Sequence, residues 1–375
     1  MLLSIILQKN LECIGSGHTS SIEPIHFANE DGHQMIKGML RSTFFGLAFA
    51  AVVFSLPAIQ VEASGGAQVG SWSSGHRVVV YNGGGVGYPA EVSCLNNSLC
   101  VATFGDGKIA GAIDGKWTKA TQEFSSNQGL STSILVTCSA SITCLEMDSS
   151  GDMVGNRTTM PKSSPNSIDI ISGLACPSSS FCVAVTGSGT ELTYSGGKWS
   201  APYSVDPISA KQIGLTSISC PSISFCIAVD SVGAALKYSD GKWSRPDRID
   251  PQSTKNYGLG FVSVSCSSSN FCIAIDGHGY GFSYSKGSWS KRRSFDTSNA
   301  GPASVSCASR KFCVSVDNNG YAIDYVDGQW KSPNLIDPHT STKFGGDVLT
   351  SVSCPSSNFC VAVDQNGYAF EYTKN

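Results

Sequence analysis

Apolar and polar residues alternate along short segments near the C-terminal end of the chain. Residues Ser351 to Cys354 alternate between polar and apolar, and residues Phe359 to Val363 form a continuous apolar run. Residues Tyr368 to Tyr372 alternate aromatic with small or acidic side chains. Turn-forming Pro-Ser-Ser and Gln-Asn-Gly clusters separate these segments. The pattern predicts three short antiparallel strands, and more complete copies of it add a fourth strand around a tryptophan, as in Lys242-Trp243-Ser244.

The same pattern recurs seven times, and each copy is marked by two cysteines with five residues between them. From first cysteine to first cysteine the steps are 44, 38, 44, 46, 41 and 47 residues, a period typical of repeat architectures. After the second cysteine of a copy, glycine follows at seven residues in every repeat, aspartate at four in five repeats, tyrosine at twelve in five and tryptophan at seventeen in five. The second repeat has neither aromatic residue.

Four antiparallel strands recurring about every 44 residues match the blade of a β-propeller, so the sequence predicts an all-β, seven-bladed propeller. The last repeat stops at Asn375, before its tryptophan, while a spare Trp72 precedes the first cysteine pair. We therefore expect the N-terminal strand around Trp72 to close the last blade, with the Ser-Val-Ser-Cys strand innermost.

The chain before the repeats indicates export. Residues 35–63 combine Lys37 and Arg41 with an apolar run and end in Val61-Glu62-Ala63, the pattern of a cleavable signal peptide. The run is shorter than a membrane span, and an uncleaved anchor is the alternative. Residues 1–34 are interpreted as an unstructured start-site extension and residues 64–375 as the propeller. The expected location is therefore extracellular or the cell envelope, with no membrane contact after cleavage.

The cysteine count supports the same compartment. Of the 15 cysteines, only Cys13 lies outside the repeats, and an even set in an exported chain predicts disulfides. Zinc is the competing interpretation, but five intervening residues exceed the usual spacing of structural zinc sites. The predicted disulfides join Cys94 to Cys100, Cys138 to Cys144, Cys176 to Cys182, Cys220 to Cys226, Cys266 to Cys272, Cys307 to Cys313 and Cys354 to Cys360.

Charge argues against some partners. Residues 1–63 hold 3 of the 25 basic and 5 of the 28 acidic side chains, which leaves the repeats with a formal net charge of −1. A nearly neutral surface gives no electrostatic reason to expect nucleic acid or an anionic membrane as partner. Nucleophile-elbow, phosphate-loop and histidine metal motifs do not occur in the sequence, so no catalytic residue, cofactor or metal is expected.

The repeat unit SVSCPSSNFCVAVDQNGYAFEY resembles the repeats of secreted bacterial β-propeller proteins with one cysteine pair per repeat, over nearly all of residues 70–375. It is more distantly similar to the Asp-box repeat of sialidase-type propellers, because Asp-x-x-Gly followed by an aromatic residue recurs. The Asp-box itself is Ser-x-Asp-x-Gly-x-x-Trp, whereas here Asp276 is three residues before Gly279 and the next tryptophan is Trp289.

The repeated residues favour structural roles. The aspartate of Asp-x-x-Gly is expected to accept hydrogen bonds from turn amides, and one carboxylate per turn is too few for calcium. Repeated tryptophans and tyrosines favour packing between sheets over ligand stacking. Only the last three repeats carry tyrosine just after the turn glycine, which predicts a candidate ligand-binding patch on one rim, formed by Tyr280, Tyr321, Tyr368, His278, Lys255 and Lys343.

These observations lead to a functional expectation. The protein is predicted to be an exported, monomeric, non-catalytic binding propeller whose partner is an envelope or extracellular glycan. A propeller-type glycoside hydrolase of sialidase type, or a lyase, is the first alternative. A scaffold that binds an extracellular protein is the second.

Overall fold

The computed structural model describes residues 70–80, 90–124, 134–139, 143–153, 161, 170–206, 214–253, 260–298, 301–338 and 348–374. The proposed start-site extension and signal peptide lie outside these residues. Within them all regular secondary structure is β-strand. No helix in the described ranges has the length and apolar character needed to cross a membrane.

The strands fall into five sets that recur from repeat to repeat, and repeats are numbered here by their cysteine pairs. The first strands are β3 (Ala90–Asn96), β8 (Ile134–Ser139), β10 (Ile171–Ser178), β15 (Leu215–Ser222), β20 (Phe261–Ser268), β25 (Pro302–Ser309) and β30 (Leu349–Ser356). The second strands are β4 (Leu99–Phe104), β9 (Thr143–Asp148), β11 (Phe181–Thr186), β16 (Phe225–Asp230), β21 (Phe271–Asp276), β26 (Phe312–Asp317) and β31 (Phe359–Asp364). The third strands are β5 (Lys108–Ile113), β12 (Thr190–Ser195), β17 (Ala234–Ser239), β22 (Tyr280–Ser285), β27 (Tyr321–Val326) and β32 (Tyr368–Thr373).

The fourth, outer strand of each sheet is interrupted into two short pieces. The tryptophan pieces are β1 (Ser71–Trp72), β6 (Lys116–Trp117), β13 (Lys198–Trp199), β18 (Lys242–Trp243), β23 (Ser288–Trp289) and β28 (Gln329–Trp330). The second pieces are β2 (His76–Arg77), β7 (Thr121–Gln122), β14 (Tyr203–Ser204), β19 (Asp247–Arg248), β24 (Arg293–Ser294) and β29 (Asn334–Leu335). Both pieces pair with the third strand of the same sheet. Each complete sheet is therefore a four-stranded blade whose outer strand is interrupted, which gives five separate strand segments per sheet.

The expectation of seven blades is wrong. The described residues form six five-stranded sheets, and the protein is a six-bladed all-β propeller. Among the described residues, repeat 2 contributes the two-stranded sheet β8-β9, which lies between the first strands of repeats 1 and 3. A physical reason is visible in the sequence, because repeat 2 lacks both the tyrosine and the tryptophan that pack the third strand against the outer strand in five of the six complete blades.

The N-terminal segment completes the sheet of repeat 7. Strand β1 pairs antiparallel with β32, Trp72 lies opposite Tyr372, and β2 pairs with the same strand through Arg77 and Tyr368. The first strand of repeat 1 also lies beside the first strand of repeat 7. The predicted interlock of the two chain ends is therefore present.

Disulfides close the hairpin between the first and second strands of every repeat. Seven are formed, in the predicted pairing, with Cα atoms 3.9 to 4.1 Å apart. In repeat 5, Cys266 and Cys272 are direct cross-strand neighbours. Disulfides of this number are typical of proteins in an oxidising extracellular environment.

Serine hydroxyls join the first strands of successive repeats, which explains the recurring Ser-x-Ser-Cys. The backbone N–H of Val305 donates to Ser263 Oγ at 3.2 Å, and that of Cys307 donates to Ser265 Oγ at 2.9 Å. Equivalent bonds join repeats 4 to 5, 6 to 7 and 7 to 1. The first strand has no backbone partner on its inner edge, and the neighbour's hydroxyls satisfy its amides there.

The Asp-x-x-Gly turns between second and third strands are capped as predicted. Asp276 Oδ1 accepts the backbone N–H of His278 at 2.9 Å and that of Tyr280 at 2.8 Å. Gly279 has φ of 84°, and a Cβ there would lie 2.6 Å from the carbonyl oxygen of Asp296. Glycine is needed at this position both for the left-handed backbone and for the close approach of the outer strand.

Candidate functional site

Tryptophan and tyrosine pack against each other at the outer end of five of the complete blades. The ring centroids lie 5.3 to 5.5 Å apart, in the pairs Trp72–Tyr372, Tyr194–Trp199, Tyr238–Trp243, Tyr284–Trp289 and Tyr325–Trp330. The prediction that these rings pack within the fold is confirmed. Trp199, Trp243 and Trp289 each line a groove between their own repeat and the preceding one.

The side chain that ends the preceding blade decides whether this groove is filled. Between repeats 5 and 6, Phe295 stacks on Trp330 with centroids 4.2 Å apart. Between repeats 3 and 4 the same position holds Val205, which is too short to cover Trp243 in that way. A groove of about 750 Å³ remains there, and a smaller one of about 200 Å³ lies between repeats 4 and 5.

The groove between repeats 3 and 4, the 3/4 groove below, combines aromatic and charged side chains. Tyr238 and Trp243 of repeat 4 and Tyr203 of repeat 3 supply the rings, while Glu191, Lys242 and Arg245 supply charges of both signs. Tyr203 is 63% exposed and stands on the outer strand piece β14. The arrangement offers flat apolar faces beside hydrogen-bonding groups.

Two of these residues depart from what other repeats place at the same position. Glu191 occupies the position held by Ala235, Gly281, Ala322 and Ala369 in repeats 4 to 7. Where repeats 4 to 6 have Asp247, Arg293 and Asn334, repeat 3 has Tyr203. Both departures line one groove, so they are not explained by the common needs of blade packing.

Glu191 is a buried acid in this groove. Its side chain is 8% exposed, and Thr193 Oγ1 donates a hydrogen bond to Glu191 Oε2 at 2.9 Å. Burial raises the pKa of the Glu191 carboxyl, and the Thr193 hydrogen bond acts in the opposite direction. Lys242 and Arg245 lie exposed at the groove and provide nearby donors.

The structure places the patch predicted from sequence on the third strands and turns of repeats 5 to 7. Tyr280, Tyr321 and Tyr368 are partly buried and begin β22, β27 and β32. Arg292 lies over the ring of Tyr280, 4.4 Å from its centroid, and Arg77 lies over that of Tyr368 at 5.4 Å. These contacts lie within single blades.

The other three predicted members are His278, Lys255 and Lys343. His278 lies in the Asp-capped turn of repeat 5, and its backbone N–H binds Asp276. Lys255 and Lys343 lie outside the described residues. The patch therefore stays a prediction. In the described part of the chain no three histidine, cysteine or acidic side chains converge as a metal-binding group.

Sequence reasoning missed the 3/4 groove because it interpreted repeated aromatics only as packing. The signal that could have found it was the variation within aligned repeats: a glutamate among alanines and glycine, and valine where repeat 5 has Phe295. The glutamate is informative because repeats 4 to 7 have only alanine or glycine at its position, so the fold does not need a larger side chain there.

Comparison with known proteins identifies the fold and leaves the family open. No family model and no curated protein matches the sequence. Among solved structures, virginiamycin B lyase from Staphylococcus aureus is similar with a TM-score of 0.62 and 10% identity, covering 82% of this chain and 100% of that one. YCF48 from Cyanidioschyzon merolae has a TM-score of 0.55 and 13% identity, covering 80% of this chain and 98% of that one. The WD40 propeller domain of Doa1 has a TM-score of 0.57 and 11% identity, covering 80% and 97%.

These similarities establish the fold, a β-propeller, and the disulfide in each repeat is a feature of this chain's own structure. The similar structures include lyases and interaction domains, and at 10 to 13% identity they establish the architecture alone. Neither the Asp-box resemblance nor a bacterial secreted origin gains support from them.

Proposed function

We propose that this protein is an exported, non-catalytic propeller that binds a glycan in the 3/4 groove. The observation that carries the proposal is the open face of Trp243 beside Tyr203, with Glu191 below and cationic side chains at the margin. Sugar rings combine apolar faces with hydroxyl groups, and aromatic rings next to a carboxylate and to nitrogen donors suit both.

Export is part of the proposal. The signal-like residues 35–63 and the seven disulfides support it, because such disulfides persist in oxidising compartments and are rare in the cytosol. Placement outside the cell or in its envelope would put the groove in contact with surface polysaccharide.

The binding test uses a glycan array with the purified protein, followed by titration of the strongest glycan by calorimetry. Tyr203→Ala removes an exposed ring and should weaken binding about tenfold, as expected for loss of roughly 1.4 kcal/mol. Val205→Phe should weaken binding further, because the new ring would cover Trp243 as Phe295 covers Trp330.

The matched control is Leu335→Ala, which shortens a 47% exposed side chain on the corresponding outer piece of repeat 6. It should bind as the wild type does. Glycan binding that neither groove variant weakens would place the site elsewhere. The candidate patch around Tyr280 and Tyr321 would then be next to test.

The same experiment would also detect the two alternative functions, an enzyme acting on glycans and a protein-binding scaffold. New reducing ends or unsaturated sugars after incubation would show a hydrolase or lyase. An array without any binding, together with capture of one peptide ligand at this groove, would favour the protein-binding scaffold, and one of the similar structures is YCF48 bound to D1 peptide.

A further inference from the structure

Buried aspartates occupy both sides of four successive blade junctions. One member caps the Asp-x-x-Gly turn, and the other ends the preceding blade. The pairs are Asp206 with Asp230, Asp250 with Asp276, Asp296 with Asp317, and Asp337 with Asp364, and every member is at most 7% exposed. The sequence argument counted one carboxylate per turn, whereas the fold brings a second one beside it.

The junction of repeats 5 and 6 shows the arrangement in most detail. Asp317 Oδ1 accepts the backbone N–H groups of Asn319 and Tyr321, at 2.9 and 2.8 Å. Asp296 Oδ1 accepts the backbone N–H of Ser298 at 2.8 Å. Asn319 Nδ2 donates to the Ser298 carbonyl oxygen at 3.3 Å and so ties the two segments together.

Oδ2 of Asp296 and Oδ2 of Asp317 are buried and accept no hydrogen bond from the described residues. The ion pairs in the described part of the chain, Lys108–Asp106 and Lys311–Asp327, lie elsewhere. Burial of two carboxylates without a positive partner is strongly unfavourable, unless a bound cation or a shared proton neutralises the pair.

Other junctions show that the cap does not need an acidic residue opposite it, because Asp148 caps its turn in repeat 2 while the facing residue is Phe124. Between repeats 7 and 1 the corresponding residues are Val79 and Phe104, both apolar and in one core cluster. At the four acidic junctions both residues are aspartate. The acidic residue that faces the cap at these four junctions is therefore not explained by the turn itself.

We propose that the Asp296–Asp317 pair binds a hard divalent cation, with Ca²⁺ the best fit, between adjacent blades. A divalent ion neutralises both carboxylates, whereas a shared proton neutralises only one. Two carboxylates supply the anionic ligands, and main-chain oxygens and water would complete the six to eight oxygens that Ca²⁺ takes.

The test measures metal content and thermal unfolding of the whole purified protein. After dialysis against micromolar CaCl₂, mass spectrometry of the metals should find about one Ca²⁺ per chain. The unfolding midpoint should rise by several degrees from EDTA to CaCl₂, and equal ionic strength supplied as NaCl should not reproduce the rise.

Variants locate the ion. Asp296→Asn and Asp317→Asn should each remove about one Ca²⁺ per chain and reduce the stabilisation by CaCl₂. The matched control is Asp148→Asn, which alters the same type of cap in repeat 2, where the facing residue is Phe124. It should leave the Ca²⁺ content unchanged.

The wild-type measurements alone keep the proposal falsifiable if a variant fails to fold. Absence of bound metal after dialysis, with equal unfolding midpoints in EDTA and CaCl₂, would overturn it. Stability that instead rises from pH 7 to pH 5 without metal would show that the pair shares a proton.

Discussion

Trp72 lies directly opposite Tyr372, with ring centroids 5.5 Å apart, although 299 residues separate them in the chain. The pairing extends the third strand of repeat 7 with an outer strand from the other end of the chain. Closure by strand exchange leaves the ring without an open edge. The contact therefore stabilises the whole propeller as well as the local sheet.

Trp72→Ala should lower the free energy of unfolding by about 2 kcal/mol, because it removes a partly buried ring and its aromatic partner contact. Urea unfolding followed by Tyr and Trp fluorescence would measure the change. His76→Ala, an exposed residue of the adjoining piece β2, is the control and should change stability by less than about 0.5 kcal/mol. Equal stability of the two variants would mean that the strand adds nothing to closure.

Loss of the serine links should weaken the contact between repeats 5 and 6. In a Ser263→Ala and Ser265→Ala double variant the amides of Val305 and Cys307 lose their acceptors, and we expect a cost of about 1 kcal/mol for each. Chemical unfolding and hydrogen exchange at those two amides would report it.

Ser288→Ala removes a hydroxyl in an exposed turn of repeat 5 and is the control for this variant. Unchanged protection of the Val305 and Cys307 amides in the double variant would contradict a stabilising role for the links.

Stability should depend on pH through Glu91. Burial raises the pKa of this carboxyl from 4.5 to about 7, and the hydrogen bond from the Val136 backbone N–H opposes the rise. Between those two values the unfolded chain has released a proton that the folded chain keeps. The contribution of Glu91 to stability therefore falls as pH rises from about 4.5 to about 7 and is constant above.

Glu91→Gln keeps an oxygen acceptor for Val136 and cannot ionise. Its stability relative to the wild type should increase across this range and be greatest above pH 7, as measured by urea unfolding at pH 5, 6, 7 and 8. Asp247→Asn, which changes an exposed carboxylate, should not show the trend. Parallel curves for wild type and Glu91→Gln would refute the assignment.

Much of the fold was predictable from local pattern. The cysteine spacing implied the hairpin disulfides, Asp-x-x-Gly implied a capped turn, and the missing tryptophan of repeat 7 implied the pairing of Trp72. Each of these features depends on neighbours within one repeat or on counting repeats. The number of blades was predicted wrongly because each cysteine pair marks only the first hairpin of a repeat. The pair carries no information about whether the third and fourth strands follow.

By itself the sequence determined the all-β repeat, the strand order within a blade and the pairing of cysteines, since these follow from alternation, turn residues and short loop closure. The tertiary structure alone decided what lies between blades. The facing of Asp296 and Asp317, and the uncovered face of Trp243 beside Glu191, arise where separate repeats meet. Such contacts depend on the packing of one sheet on the next, which the periodicity of a single repeat does not contain.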